Sequence, residues 1–164
     1  MRHILFASAG VAGVALIVVA SVALGSTGGR QAPSGSPISI TNRLSASTGK
    51  GTFRMVVDAS TYTGTATARS TVDSQKVVGG QVQTRVHGSN DLKSTEGTLS
   101  LAFRGVFLPI ENIDPTKEGF GAGYGTWQIR RATGIYKGWK GGGRWADAAA
   151  ASTENLEWVG LVTQ

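Results

Sequence analysis

The chain contains no cysteine, which excludes a disulfide framework, a thiolate nucleophile, a zinc–sulfur site and a lipidated cysteine. Histidine is almost as scarce. His3 lies in an apolar leader, so His87 alone serves the remainder. A Ser–His–Asp arrangement would have to use it, with Asp73, Asp91 or Asp114 as the orienting acid. Its context, VHGSND, reads instead as a hairpin turn. With one histidine left, a metal site would fall to carboxylates, and Glu111, Asp114 and Glu118 do not follow an EF-hand spacing. Gly49-Lys50-Gly51-Thr52 lacks the upstream glycine of a phosphate loop, and Gly51 stands where that loop needs a hydroxyl residue. No metal and no cofactor are expected. Helical periodicity is also missing, and without alternating strands and helices a parallel α/β sheet is excluded.

Glycine, by contrast, is plentiful at 24 of 164 residues, without the third-residue period of collagen. The leader is equally distinctive. After Arg2 and His3, residues 4–29 carry no charge, and 22 of them form one apolar run. A basic start, an apolar run and small residues such as Ser21 and Ala23 describe a secretory signal. The run is also long enough to span a bilayer, so a retained anchor is the alternative. Either way the domain is expected outside, secreted or anchored to the outer face of the cytoplasmic membrane. The organisation read here is 1–25 signal or anchor, 26–37 Gly/Ser/Pro linker and 38–164 folded domain.

Within that domain apolar residues recur with period two, the mark of half-buried strands. Eight candidates fall at 37–41, 52–58, 61–72, 77–86, 98–107, 124–131, 143–148 and 156–162. Turn signals are read at 47–51, 87–91, 132–134 and 140–143, and one helical turn at 146–152. Many short strands without helices mean a sandwich or a barrel. Glycines inside strands, including Gly79, Gly80, Gly105 and Gly160, permit bulges and coiling. They favour an all-β, small antiparallel eight-stranded barrel over a flat sandwich. The loop at 109–123 is long enough to form a functional rim.

The run Gly125-Thr126-Trp127-Gln128-Ile129, followed by Thr133-Gly134-Ile135-Tyr136-Lys137-Gly138 and Gly141-Gly142-Gly143, resembles the glycine–aromatic pattern of the allene oxide cyclase/dirigent-like barrels. The resemblance covers about 20 residues closely. It implies an eight-stranded barrel with an apolar interior open at one end, often in a homo-oligomer. Bacterial members of that superfamily include cofactor-free cyclases. The matched positions are hairpin and core residues in that pattern, not catalytic ones. The acidic pocket residues of the plant members have no counterpart that can be matched here.

Wall positions are often Thr, Ala, Gly or Ser, so a partly open aromatic cavity for a lipophilic small molecule is expected; a solidly packed barrel with a structural or interaction role is the alternative. Its expected lining is Phe53, Met55, Tyr62, Leu101, Phe103, Trp127, Ile129, Tyr136 and Trp158, with Arg104 and Glu111 as polar groups at the rim. Cyclisation or isomerisation would proceed by holding the ligand in a reactive shape. Paired carboxylates could serve glycoside cleavage, from Asp147, Glu154 and Glu157 or from Glu111 with Asp114.

The alternative is a non-enzymatic envelope module. Arg130, Arg131, Lys137, Lys140 and Arg144 form a basic strip interleaved with Tyr136, Trp139 and Trp145. It suits an anionic membrane surface or polymer. Export argues against nucleic acid as a partner.

Overall fold

A computed structural model describes residues 34–110, 120–150 and 152–164. The signal or anchor, most of the linker, and Glu111, Asp114 and Glu118 lie outside the described residues. The domain is all-β. Eight antiparallel strands, β1 (Ser36–Ser45), β2 (Lys50–Val57), β3 (Ser60–Val78), β4 (Gln81–Lys93), β5 (Thr98–Ile110), β6 (Phe120–Ala132), β7 (Lys140–Ala150) and β8 (Thr153–Thr163), follow one another around a closed ring. The seam is made by β1 and β8, from Ser36↔Val162 to Ser45↔Thr153. Closure pairs every strand on both sides, although β3 runs on past the end of β2.

Period two accounts for the inner wall. Ile38, Ile40, Asn42 and Leu44 of β1 are buried, and the residues between them are exposed. Phe53, Met55 and Val57 repeat this on β2, Leu99, Leu101 and Phe103 on β5, and Leu156 and Trp158 on β8. Four tryptophans lie among these core residues: Trp127, Trp139, Trp145 and Trp158. Glycines make room for the rings. A Cβ at Gly125 would collide with the Arg104 carbonyl and press on the Trp145 indole; one at Gly121 would enter the Phe107 ring.

Four local expectations are corrected. The hairpin between β3 and β4 turns at Gly79 and Gly80, which both take positive φ, 59° and 81°. That conformation suits a two-residue turn and glycine adopts it freely. The expected strand at 77–86 is therefore split by this turn. The expected turn at 87–91 is continuous strand within β4. His87 to Asp91 have turn-like composition, but Thr84, Asn90 and Leu92 hold the inward parity across them. The expected helical turn at 146–152 is strand through Ala150, because β7 is held on both sides by β6 and β8. Residues 140–143 open β7 instead of forming a turn; the turn proper is a 3-10 helix at Gly134–Tyr136.

The connections sort into two ends. The β1–β2, β3–β4, β5–β6 and β7–β8 connections share one end, and the β2–β3, β4–β5 and β6–β7 connections the other. The second end is stoppered. Tyr136 and Trp139, from the β6–β7 connection, are buried against Tyr62, with ring centroids 5.2–6.4 Å apart in edge-to-face geometry.

Candidate ligand cavity

At the first end the interior opens into a cavity of about 360 Å³. Its apolar wall is made by Val72, Val86, Phe103, Phe107, Trp145 and Leu156, and the β1–β2 turn contributes Ala46, Thr48 and Gly49. Ser70 and Thr84 add hydroxyls, and Asp147 and Glu154 add two carboxyls. The volume lies at the small end of the range for small-molecule sites.

The carboxyls arrive by parity. Asp147 follows Trp145 by two residues on β7, and Glu154 precedes Leu156 by two on β8. Asp147 pairs in register with Leu156, and Glu154 with Ala149, so the two acids are diagonal neighbours on one face. Burial raises the Asp147 carboxyl to about 7, and the neighbouring Glu154 charge adds to the effect. Burial also raises Glu154. The buried Oδ1 of Asp147 has no hydrogen-bond partner among the described residues. A desolvated carboxyl near a second one favours its neutral form. A carboxyl raised in this way can give up a proton near neutral pH.

Two asparagines lie deeper. Asn42 and Asn90 are fully buried, and neither amide nitrogen nor oxygen finds a partner among the described residues. The Trp158 indole N–H is in the same position. Asn42 pairs in register with Leu156, and Asn90 with Ala68; both partners line the cavity. Buried amides without partners are costly, which marks this layer as more than packing.

The expected lining residues are distributed differently from the cavity wall. Phe103 is on the wall. Phe53, Met55, Leu101 and Trp158 form the packed layer of the core, and Trp127 lies in it with its indole donating to the Arg144 and Val159 carbonyls. Ile129 is half-buried against that core, and Tyr62 and Tyr136 belong to the stopper. Burial raises the Tyr136 phenol, opposed by its 2.9 Å hydrogen bond with Ser94. Arg104 is exposed on the outer wall, and Glu111 lies outside the described residues. Asp147 and Glu154, read from sequence only as a glycosidase pair with Glu157, are the acids inside; Glu157 faces out. Inward parity from Trp145 and Trp158 was the signal for them, obscured by the alanine run that read as helix.

Outside the ring, His87 Nδ1 donates to Asp73 Oδ1 at 2.5 Å, and both side chains are about half exposed. Asp73 sits at a bulge in β3, where the register with β4 shifts between Val72 and Ser74. The larger depression at His87, about 510 Å³, is a groove on the outer wall beside Arg104, Thr126, Gln128 and Arg130. The basic strip does not present its aromatics. Arg130, Arg131, Lys137, Lys140 and Arg144 are exposed, whereas Tyr136, Trp139 and Trp145 point inward and are buried. Its cations divide among a depression shared with Arg104, another shared with Arg69 and Lys93, and the stoppered end.

No family model, curated protein or solved structure matches the chain.

Proposed function

We propose that the barrel binds a lipophilic small molecule in the cavity beside Asp147 and isomerises or cyclises it without a cofactor. The observation that carries this reading is a carboxyl raised by burial to about 7 in an aromatic cavity, its inner oxygen without a partner among the described residues, beside a second carboxyl. Phe103, Phe107 and Trp145 supply shape and apolar contact. A ligand folded against them loses its freedom before the reaction, which lowers the entropic part of the barrier. Asp147 gives a proton to a ligand oxygen, and the Asp147–Glu154 pair recovers one when the product forms, so the cycle is proton-neutral. The glycine–aromatic resemblance of residues 125–143 to cofactor-free cyclase barrels supports the same class of chemistry.

Binding and chemistry are tested separately. The neutral probe N-phenyl-1-naphthylamine should gain fluorescence on wild-type protein and lose that gain in Ala68→Phe, which fills the cavity. Failure of wild type to take up any apolar probe of this size sinks the cavity reading. For chemistry, deuterium exchange from solvent into a cyclic enone probe should follow a pH profile with an inflection near 7. Asp147→Asn should abolish that exchange and still bind the neutral probe. Equal exchange in the variant removes Asp147 from the mechanism.

A further inference from the structure

The β3–β4 hairpin outgrows the barrel. Pairing of β3 with β2 ends at Thr67, and pairing of β4 with β5 begins at Thr84. Beyond Gln75↔Thr84 the two strands pair only with each other, out to Val78↔Gln81. From Gln75 to Val78 this ribbon reaches roughly 10 Å at the usual rise per residue. It is unusually apolar for a free ribbon: Val77 is 72% exposed, Val78 51% and Val82 36%, and Val72 at its base is 58% exposed. Val77 and Val82 are register partners, in phase with Thr84 and Val86, which line the cavity. The apolar face of the ribbon therefore continues the cavity wall outward.

The described residues of the ribbon itself carry only positive charge. Residues 74–86 contain Lys76 and Arg85 and no acid. Arg85 joins Arg104, Arg144 and Tyr124 around one shallow depression of about 480 Å³ on the outer wall. Its one acid, Asp73, is already bonded to His87. None of these arginines forms an ion pair among the described residues. Like charges gathered this way oppose folding, so the arrangement calls for an anionic partner. Tyr124, 55% exposed at the centre of the group, is the amphipathic ring suited to a membrane–water interface. A second copy adding to the free edge of β3 is disfavoured by the bulge at Asp73 and by Lys76, both of which impede edge pairing.

We infer that the hairpin end of the barrel docks on an anionic bilayer, with Arg85, Arg104 and Arg144 of the outer wall on lipid phosphates and the valine tip of the hairpin entering the headgroup region. The valine face then joins the bilayer to the mouth of the cavity. The inference rests on the outer surface and does not require the proposed chemistry.

Flotation of the full chain with vesicles tests it, comparing phosphatidylcholine alone with a 7:3 mixture containing phosphatidylglycerol. The readout is the ratio of the two affinities, because the apolar leader contributes to both. Wild type should prefer the anionic vesicles, less so at high salt. Arg104→Ala with Arg144→Ala should lower the ratio by about fivefold per arginine. Val77→Ser with Val82→Ser should weaken anionic-vesicle binding several-fold while apolar-probe binding in the cavity persists. All these positions are exposed, and circular dichroism checks the fold. An unchanged ratio in the arginine variant overturns the inference. So does a change in solution mass in the valine variant with vesicle binding intact, which would make the face a contact between copies. Arginine-dependent binding to soluble polyphosphate, without preference for anionic vesicles, also overturns it.

Discussion

The two ends of the barrel are built from the same kinds of residue and finished in opposite ways. At the stoppered end three aromatic rings lock edge to face, and the polar atoms among them are matched: Ser94 bonds the Tyr136 hydroxyl, and the Thr133 hydroxyl accepts from the Thr98 backbone. At the open end, among the described residues, no such plug covers Phe107 and Trp145. The acids beside them are half-buried, and the inner oxygen of Asp147 has no partner among the described residues. One end is resolved for stability. The other retains polar groups whose cost stability alone does not explain, the pattern expected of a binding site.

That contrast can be broken experimentally. The largest effect belongs to the stopper: Trp139→Ala should cost about 3–5 kcal/mol in denaturant unfolding, because a buried indole leaves a cavity. A loss below about 1 kcal/mol would mean that the plug is dispensable. Next comes the layer beneath the mouth. Asn42→Leu or Asn90→Leu should raise stability by about 1–3 kcal/mol, since each replaces two buried atoms unpartnered among the described residues with methyl groups on the same branched skeleton. A fall instead would reveal partners that leucine cannot replace.

The third prediction concerns pH. A carboxyl raised from its ordinary value to about 7 binds its proton more tightly in the folded state. Its contribution is therefore most favourable below the unfolded value and is lost as pH rises from about 4 towards 7. Asp147→Asn should flatten this fall, gaining roughly 1–2 kcal/mol on wild type between pH 4 and pH 8, discounted for partial solvent contact. Parallel thermal-unfolding profiles for the two proteins would contradict it. Smallest is Ser94→Ala, which should cost about 1 kcal/mol or less and leave probe binding unchanged.

Period two made most of the wall legible from sequence. Ile38, Ile40, Leu99, Leu101 and Phe103 could be placed inward because a strand sends alternate side chains to opposite faces. Composition misled where it competed with parity. His87-Gly88-Ser89-Asn90-Asp91 looks like a turn, but Gly88 sits in a strand because a Cβ there would strike the Arg69 carbonyl and the Phe103 ring. Ala146–Ala150 looks helical because alanine has high helix propensity, and pairing on both sides of β7 overrides it. That misreading hid the acids. Asp147 and Glu154 become neighbours only when β7 and β8 are strands in register. The basic strip illustrates the converse: residues contiguous in sequence separate in space, because alternate positions face opposite sides of the wall.

The glycines against which the aromatic rings rest also bear on motion. Gly105, Gly123 and Gly125 bring bare main chain up to the Trp145 indole, whose N–H is fixed on the Arg104 carbonyl at 3.2 Å. Phe107 is backed in the same way by Gly121. Rings wedged against peptide planes have few other rotamers to visit, so their entropy is surrendered when the chain folds and not when a guest arrives. Trp145 is accordingly a built-in optical reporter: its emission should respond to occupancy of the cavity more than to wandering of the ring.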